Sequence, residues 1–388
     1  MHDPILFALF VIFVGAAVAA TGALYARQSL LVGYILLGVL FGPSALGWVG
    51  SPDLIKQAAT IGIIFLLYLL GMNLHPQKLV QLFSEVTLTT LASTGVFGVF
   101  GFLVGLAAGL TVTESLVVGA ATIFSSTIIG LKLLPATALH HQHIGGLVIA
   151  VLLLQDLLAI LVLIGLQGLG AGGAGWEDAA KLALGLPVLI GGAFLAERFI
   201  LRRLWRRFDQ VQEYVFLTAI GWCMGVAEIG AQLGLSYEIG AFIAGVAVAN
   251  SPIARFIAES LRPLRDFFLI LYFFALGAGL ELHMLGDVAL PALALAVGAV
   301  VIKPMVFRGL FSLAREKRPL AAEVGVRLGQ MSEFSLFIAV VALEAGVIGE
   351  RASYLVQFAT VASFILSSYL IGARYPSPIA ARTALRRD

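Results

Sequence analysis

The sequence predicts an all-α polytopic membrane protein with about 13 transmembrane helices, and three observations predict this class. First, 60% of the 388 residues are apolar and only 12% are charged, with a mean hydropathy of +1.01. About 25% of the residues in a soluble domain are charged, so this composition excludes a soluble globule, a disordered chain and a nucleic-acid-binding protein. Second, the apolar residues form long runs rich in Leu, Ala and Gly, without the roughly ten-residue alternating segments of an outer-membrane barrel. Third, the basic residues collect on alternate loops between these runs.

Each predicted span is an apolar run of roughly 20 residues, the length that crosses the hydrocarbon core of a bilayer. The first run is predicted to be a span and not a cleaved signal, because its first basic residue, Arg27, follows the apolar stretch instead of preceding it. The runs lie at about 4–24, 29–47, 54–73, 86–110, 115–134, 144–169, 180–199, 212–233, 237–250, 264–281, 288–310, 321–344 and 352–372.

Lys and Arg residues decide the orientation, because cytoplasmic loops carry an excess of both. With the N-terminus outside, 19 of the 24 basic residues fall on the cytoplasmic side and three fall on the opposite side. The sequence therefore predicts an external N-terminus and a cytoplasmic C-terminus in a cell inner (plasma) membrane. Residues 1–376 form the predicted transmembrane domain, and residues 377–388 form a short basic cytoplasmic tail.

The two halves of the chain resemble each other at an offset of 206 or 207 residues. Segments 33–39 and 70–74 match segments 240–246 and 276–280, and Ser126 falls on Ser332. The matched spans are seven apart, an odd number, so the halves insert with opposite orientation, as in many secondary transporters. The alternative is chance similarity among apolar helices. The common order and offset favour two inverted six-helix repeats, joined by a linker helix at about 180–199.

Ionisable residues at bilayer depth are candidates for function, because a charge there costs about 2.5–3.5 kcal/mol on insertion scales. Asp156 lies near the middle of the sixth span, Lys303 lies well inside the eleventh, and Glu333 lies in the twelfth. The alternatives are a structural acid hydrogen-bonded to Ser or Thr, and a lysine that extends to the membrane rim. Glu228 and Arg327 lie nearer the rims, and we expect ordinary rim or packing roles for both.

Two predicted spans carry polar clusters at matching places in the repeat. Ser125, Ser126 and Thr127 interrupt the fifth span, and residues 329–335 form a polar stretch in the twelfth. Hydroxyl and Gly clusters at mid-depth are typical of unwound helix whose carbonyls line a cavity. In a single span, hydroxyls that bond back to their own helix would be favoured instead. Two spans related by the repeat favour discontinuous helices 5 and 12.

These residues together predict a site for a monovalent metal cation. We expect Asp156 to supply the negative charge, and Gln155, Ser125, Ser126 and Thr127 to assist coordination. A buried acid can hold a proton or a cation, but not both well. If the acid crosses the membrane barrier only when it is occupied, the two ions are exchanged, and the chain is an antiporter.

The two other intramembrane charges, Lys303 and Glu333, are expected to tune the charge around the breaks. One titrating acid predicts electroneutral exchange, whereas a Lys303 that also loses a proton in each cycle predicts electrogenic exchange; the sequence leaves both open. The alternatives are a Na⁺/H⁺ antiporter of the same fold and a cation channel. An intramembrane aspartyl protease would need a second Asp in a neighbouring span, and none is found. We therefore expect no enzymatic activity and no cofactor besides the transported K⁺ or Na⁺ and H⁺.

At these residues the chain resembles the monovalent cation:proton antiporter-2 family, most closely its Kef-type potassium/proton branch. The resemblance runs from about residue 30 to 345, and its motifs are specific only in combination. The matching pieces are 32–43, 65–71, 125–127, 154–156, 235–245, 273–277, Lys303 and 330–334.

The resemblance implies crossed, broken spans 5 and 12 beside an ion-binding acid at Asp156, and a Gln155–Asp156 pair of the potassium-selective type. It also implies a homodimer and elevator-type alternating access. The transport helices would lie at about 86–169 and 288–372, and the dimerisation helices at about 4–73 and 212–281. The expected partners are the cation, the proton and the lipid bilayer.

Two departures from the family pattern are visible in the sequence. Ser332 stands where relatives usually have Gly, and we expect no cytosolic nucleotide-binding regulatory domain of the kind that well-known members carry. His140, His141 and His143 precede the sixth span. Imidazoles change charge near neutral pH, so this cluster is a possible pH sensor. The alternative is a solvated loop.

Overall fold

The computed structural model describes residues 4–26, 28–49, 60–62, 64–65, 67–69, 71–72, 76–134, 143–170, 176–235 and 237–377. Nearly all of the ordered structure in these residues is helical. The α-helices are α1 Pro4–Tyr25, α2 Leu30–Phe41, α3 Thr60–Leu69, α4 Pro76–Ala107, α5 Val112–Ile123, α6 Thr127–Lys132, α7 His143–Gly170, α8 Trp176–Ala196, α9 Arg202–Phe208, α10 Gln212–Gln232, α11 Tyr237–Val248, α12 Ala254–Ala278, α13 Leu285–Leu313, α14 Arg318–Arg327, α15 Glu333–Glu344 and α16 Glu350–Arg374. A π-helical turn, Glu197–Leu201, continues α8 into α9, and a 3₁₀ turn, Leu282–Met284, precedes α13.

The helices have the length and composition of membrane spans. In the described part of the chain, seven helices are long and apolar enough to cross a bilayer, and four shorter apolar helices accompany them. The prediction of a polytopic all-α membrane protein is confirmed. The number of 13 spans and the inverted repeat stay predictions.

The fifth and twelfth predicted spans are each divided into two helices. α5 ends at Ile123 and α6 begins at Thr127, while α14 ends at Arg327 and α15 begins at Glu333. The Ser126 hydroxyl accepts a hydrogen bond from the Ile129 amide at 3.1 Å, and Ser332 caps α15 in the same way. Both serines thus satisfy amide groups that a helix start leaves without partners. The predicted breaks are confirmed, and Ser332 is compatible with its break.

The described chain forms two compact units. One unit contains the described parts of Met1–Trp48, Gln81–Gly170 and Gly277–Asp388. Within it, α13 packs against α14 and α16, and α15 packs against α5, α7 and α16. Buried aliphatic and aromatic side chains of α4, α7, α13 and α14 form its core. The other unit contains the described parts of Val49–Val80 and Ala171–Leu276, in which α10 and α8 pack against α11. The division into transport, dimerisation and linker helices stays a prediction.

Two glycines that the sequence repeat pairs make equivalent close contacts, one in each unit. A Cβ on Gly71 would clash with the Phe242 carbonyl and approach the Val246 amide, and a Cβ on Gly277 would clash with the Ile35 carbonyl and approach the Val39 amide. The two glycines are 206 positions apart, and their carbonyl partners and their amide partners are each 207 positions apart. An internal repeat predicts this correspondence of packing.

Candidate functional site at the helix breaks

The two helix breaks meet inside the first unit. The Ser125 hydroxyl donates to the Leu328 carbonyl at 2.8 Å, and the Gln330 side-chain amide donates to the Ser126 carbonyl at 3.4 Å. The Ser335 hydroxyl also donates to a carbonyl of α5. Since these bonds join residues about 200 positions apart, side chains of each break satisfy main-chain groups freed by the other.

Asp156 lies beside the start of α6, on the neighbouring helix α7. Only 2% of the residue is exposed, and the Thr127 hydroxyl donates to its two carboxylate oxygens at 3.2 and 3.3 Å. The carboxyl group of Glu333 is close enough to interact with it electrostatically. The predicted acid is therefore buried at the break and has a second carboxyl group nearby.

The Gln155 side chain hydrogen-bonds to main-chain groups on both sides of the first break. Its oxygen accepts from the Ser125 amide at 3.0 Å, and its nitrogen donates to the Ile123 carbonyl at 3.3 Å. The Ser126 hydroxyl likewise serves as a helix cap. Of the residues expected to assist coordination, only Thr127 contacts the Asp156 carboxylate in a hydrogen bond; cation coordination by the others stays a prediction.

Lys303 lies between the two breaks and is buried, so its ammonium group does not extend to the membrane rim. The group donates to the Phe124 carbonyl at 2.6 Å, the Gln330 carbonyl at 3.1 Å and the Ser125 hydroxyl at 3.4 Å. It also lies 5.1 Å from the centre of the Phe97 ring, within the range of a cation–π interaction. Among the described residues, no carboxylate lies within ion-pair distance of this ammonium group.

The charges of the site follow the polarity of the helix ends. The carbonyl groups at the end of a helix carry partial negative charge, and the amide groups at its start carry partial positive charge. The Lys303 ammonium group binds carbonyls just beyond the ends of α5 and α14. Glu333, in contrast, is the first residue of α15 and is buried. The positive charge and the acid thus each lie where the helix polarity stabilises them.

A second layer of polar residues on α16 supports the break and was not predicted. The Ser367 hydroxyl donates to the Gln330 side-chain oxygen at 2.9 Å, and the Ser363 hydroxyl accepts from the Met331 amide at 3.0 Å. With Thr360, these hydroxyls recur at the three- and four-residue spacing of one helix face. That spacing inside an apolar span is the signal that could have identified them.

Arg327 is buried rather than placed at a rim, with 1% of the residue exposed. Its guanidinium group pairs with Glu323 at 2.7 and 3.0 Å, and donates to the Leu133 and Pro376 carbonyls, each at 2.9 Å. From hydropathy along the chain, Arg327 was expected near the membrane rim, and the structure buries it instead. Its bonds join the end of α6 to the segment after α16, which makes Arg327 a packing residue.

The histidine cluster lies only partly within the described structure. His140 and His141 fall outside the described residues. The His143 ring lies 2.7 Å from a carboxylate oxygen of Glu316, and its side chain is 56% exposed. A role of this cluster in pH sensing stays a prediction.

The donor set of the site suits a hard monovalent cation. It offers carboxylate and hydroxyl oxygens and main-chain carbonyls from unwound helix, which are the ligands alkali cations receive in discontinuous-helix transporters. In the part of the chain that the structure describes, no group of three His, Cys, Asp or Glu residues is arranged to hold a metal ion.

Several known proteins are similar to this chain. K(+) efflux antiporter 4 of Arabidopsis thaliana is 30% identical over 97% of this chain and 65% of its own length. The putative K(+) efflux antiporter KefB of Alkalimonas amylolytica is 29% identical over 88% and 52%, respectively. The iron transporter MagA of Paramagnetospirillum magneticum is 26% identical over 95% and 85%. The chain therefore spans less than two thirds of the length of the two potassium antiporters.

Among solved structures, the sodium proton antiporter MjNhaP1 from Methanocaldococcus jannaschii at pH 8 has the same fold. The match has a TM-score of 0.69 and 18% identity, and it covers 95% of this chain and 96% of that one. The profile of the family described as "Sodium/hydrogen exchanger, transmembrane" matches residues 6–373. The resemblance to Kef-type cation:proton antiporters is confirmed, and the chain belongs to the transmembrane sodium/hydrogen exchanger family.

Proposed function

We propose that the chain is a secondary antiporter that exchanges K⁺ for H⁺ across an inner (plasma) membrane, with both ions competing for Asp156. The observation that carries the proposal is the placement of this carboxylate. It is 2% exposed, it lies at a helix break, and the Thr127 hydroxyl contacts both of its oxygens. The relatives named as K(+) efflux antiporters support potassium as the cation.

A buried carboxylate needs a compensating positive charge. The Lys303 ammonium group does not supply it, because it is bound to the carbonyls of Phe124 and Gln330. A proton or an alkali cation must therefore neutralise Asp156, and occupancy by one excludes the other. A purely structural acid would also bond to Thr127, but it would not need to lie where two interrupted helices release their main-chain groups.

The same contacts support a stoichiometry of one proton for one cation. The two nearest acceptors of Lys303 are main-chain carbonyls and not the Asp156 carboxylate, which supports a lysine that keeps its proton whether or not Asp156 holds a cation. One acid then exchanges one proton for one monovalent cation, and the cycle is electroneutral. The bonds across the breaks keep Asp156, α6 and α15 together, which supports an elevator mechanism in which the site moves as one body within a homodimer.

The test is exchange in proteoliposomes with an imposed pH gradient and a pH-sensitive dye inside. Addition of K⁺ should collapse the gradient with the wild-type chain and should have no effect with Asp156→Asn, which cannot hold a proton or a charge-paired cation. Asp287→Asn is the matched control, because Asp287 is exposed in the first turn of α13. Wild-type exchange by the Asp156 variant would exclude the mechanism.

Na⁺/H⁺ exchange is the second candidate, because the matched family is described as a sodium/hydrogen exchanger and the matched structure is that of a sodium proton antiporter. Repeating the assay with Na⁺ alone distinguishes the two ions. An Fe²⁺ arm is included because one relative is named as an iron transporter. A channel would conduct K⁺ without moving protons, and single-channel currents would then appear in planar bilayers.

A further inference from the structure

A basic surface surrounds Tyr375, the residue that directly follows α16. The Tyr375 side chain is half-buried and is close enough to Arg308 of α13 and to Arg374, the last residue of α16, to interact electrostatically with both. The two helices pack against each other within the first unit. We call Arg308, Arg374 and Tyr375 together the Tyr375 surface.

The two arginines of the Tyr375 surface carry positive charges that the described chain does not compensate. Both are exposed, and neither pairs with a carboxylate among the described residues. The carboxylate that acts on Tyr375 belongs to Glu323, and it is already paired with the buried Arg327 at 2.7 Å. The surface therefore offers two free guanidinium groups to an anion.

The main chain and a neighbouring cation hold Tyr375 in place between these arginines. Its amide donates to the Ile371 carbonyl at 2.9 Å, and the Arg327 guanidinium group lies 5.9 Å from the centre of its ring. Arg327 also donates to the carbonyl of the next residue, Pro376, at 2.9 Å. The phenol is thus positioned before any ligand binds, which lowers the entropic cost of binding.

The surroundings of Arg308 are those of a residue that faces lipid. Val301, Met305 and Arg308 lie on one face of α13, because residues three, four and seven positions apart share a helix face. Val301 is 49% exposed and Met305 is 61% exposed, and Leu313 at the end of the helix is 80% exposed. An arginine beside exposed apolar side chains near the end of a span extends to the lipid head groups. This placement favours a lipid over a soluble acidic protein as the partner.

We propose that the Tyr375 surface binds the head group of an anionic phospholipid. The guanidinium groups of Arg308 and Arg374 donate to the phosphate oxygens, and the Tyr375 hydroxyl adds a third donor. Basic side chains just beyond the end of a span are the pattern that recognises anionic lipids of the adjoining leaflet. A zwitterionic lipid carries the same phosphate, but the two arginines repel its ammonium group.

The test is native mass spectrometry of the full chain in detergent, titrated with palmitoyl-oleoyl phosphatidylglycerol and, separately, with the zwitterionic palmitoyl-oleoyl phosphatidylcholine. Arg308→Gln combined with Arg374→Gln removes both charges, and Tyr375→Phe removes only the hydroxyl. Arg203→Gln combined with Arg207→Gln is the matched control, called the α9 variant. It removes two exposed arginines of α9 that also have no carboxylate partner among the described residues.

We expect the wild type and the α9 variant to bind the first phosphatidylglycerol with the same Kd, and more tightly than phosphatidylcholine. The variant without Arg308 and Arg374 should bind phosphatidylglycerol about 25-fold more weakly, about fivefold for each basic side chain at an anionic lipid surface, with unchanged binding of phosphatidylcholine. Tyr375→Phe should weaken binding about fivefold, the effect of one hydrogen bond.

Three results would overturn the proposal. An equal loss in the α9 variant would show that only the total basic charge of the protein matters. Unchanged phosphatidylglycerol affinity without Arg308 and Arg374 would exclude the site, and a smaller dimer fraction in that variant would then identify the surface as a contact between copies. Displacement of the lipid by excess inorganic phosphate would show that the surface binds a free anion instead. If the double variant does not fold, Tyr375→Phe against the wild type decides alone.

Discussion

Replacing Arg327 by Leu should destabilise the chain strongly, although the residue does not contact Asp156. The guanidinium group bonds to Glu323 and to the carbonyls of Leu133 and Pro376. Leu fills part of the volume and offers no donor. The perturbation therefore leaves two main-chain acceptors and one carboxylate without their partner.

The structure sets the size of the effect. Each buried acceptor that loses its donor costs about 1–3 kcal/mol. The Glu323 side chain is 25% exposed, so water can solvate its carboxylate in part. We expect a loss of about 3–5 kcal/mol in the free energy of unfolding, the range found when one partner of a buried pair is removed. Arg327→Lys keeps the charge but not the planar fork, and should recover about half of that loss.

The assay is reversible unfolding in mixed detergent micelles, followed by circular dichroism. Arg265→Leu is the control, because its partner Asp266 has a side chain that is 46% exposed and such pairs contribute at most about 1 kcal/mol. The reasoning is refuted if Arg327→Leu unfolds within about 1 kcal/mol of the wild type, or no more easily than Arg265→Leu.

Three further predictions use the same unfolding and exchange assays. Gly245→Ala should lose about 1–3 kcal/mol, because its Cβ would clash with the Tyr68 carbonyl, whereas Gly225→Ala, which faces open space, should gain up to about 1 kcal/mol; equal effects would contradict this. Lys303→Met should lose about 2–4 kcal/mol and nearly all exchange, because two buried carbonyls lose their donor; wild-type stability would contradict this. Thr127→Val should raise the apparent KM for K⁺ about tenfold, and Thr127→Ser should have the wild-type KM. A wild-type KM in both variants would show that this hydroxyl does not contribute to the site.

The sequence predicted those features whose signal is local. The scarcity of charge predicted the membrane class, and an acid in an uninterrupted apolar run predicted the burial of Asp156. The hydroxyl cluster at 125–127 predicted a break, because a polar group at bilayer depth must find a partner and a broken helix provides one.

The partners within the site could not be predicted, because they depend on how distant segments pack. Lys303 was expected to tune the charge around the breaks, which stays a prediction, but its partners, the carbonyls of residues 124 and 330 at the two breaks, could not be named from the sequence. Gln155 was expected to assist cation coordination, which stays a prediction, but the bonds of its amide to the main chain on both sides of the break were not foreseen. Arg327 bonds to distant segments, among them the Pro376 carbonyl after α16, and hydropathy along α14 does not encode such contacts.

The short hydrogen bonds that Lys303 and Ser125 donate at the helix breaks are accepted by main-chain carbonyls. The carbonyls of Phe124 and Leu328 would accept the same hydrogen bonds whatever side chains those residues carried. Natural variation in the side chains around the carboxylate can therefore alter the preferred ion while these hydrogen bonds persist. A transporter built in this way can acquire a new selectivity by small mutational steps, without passing through variants that have lost the architecture.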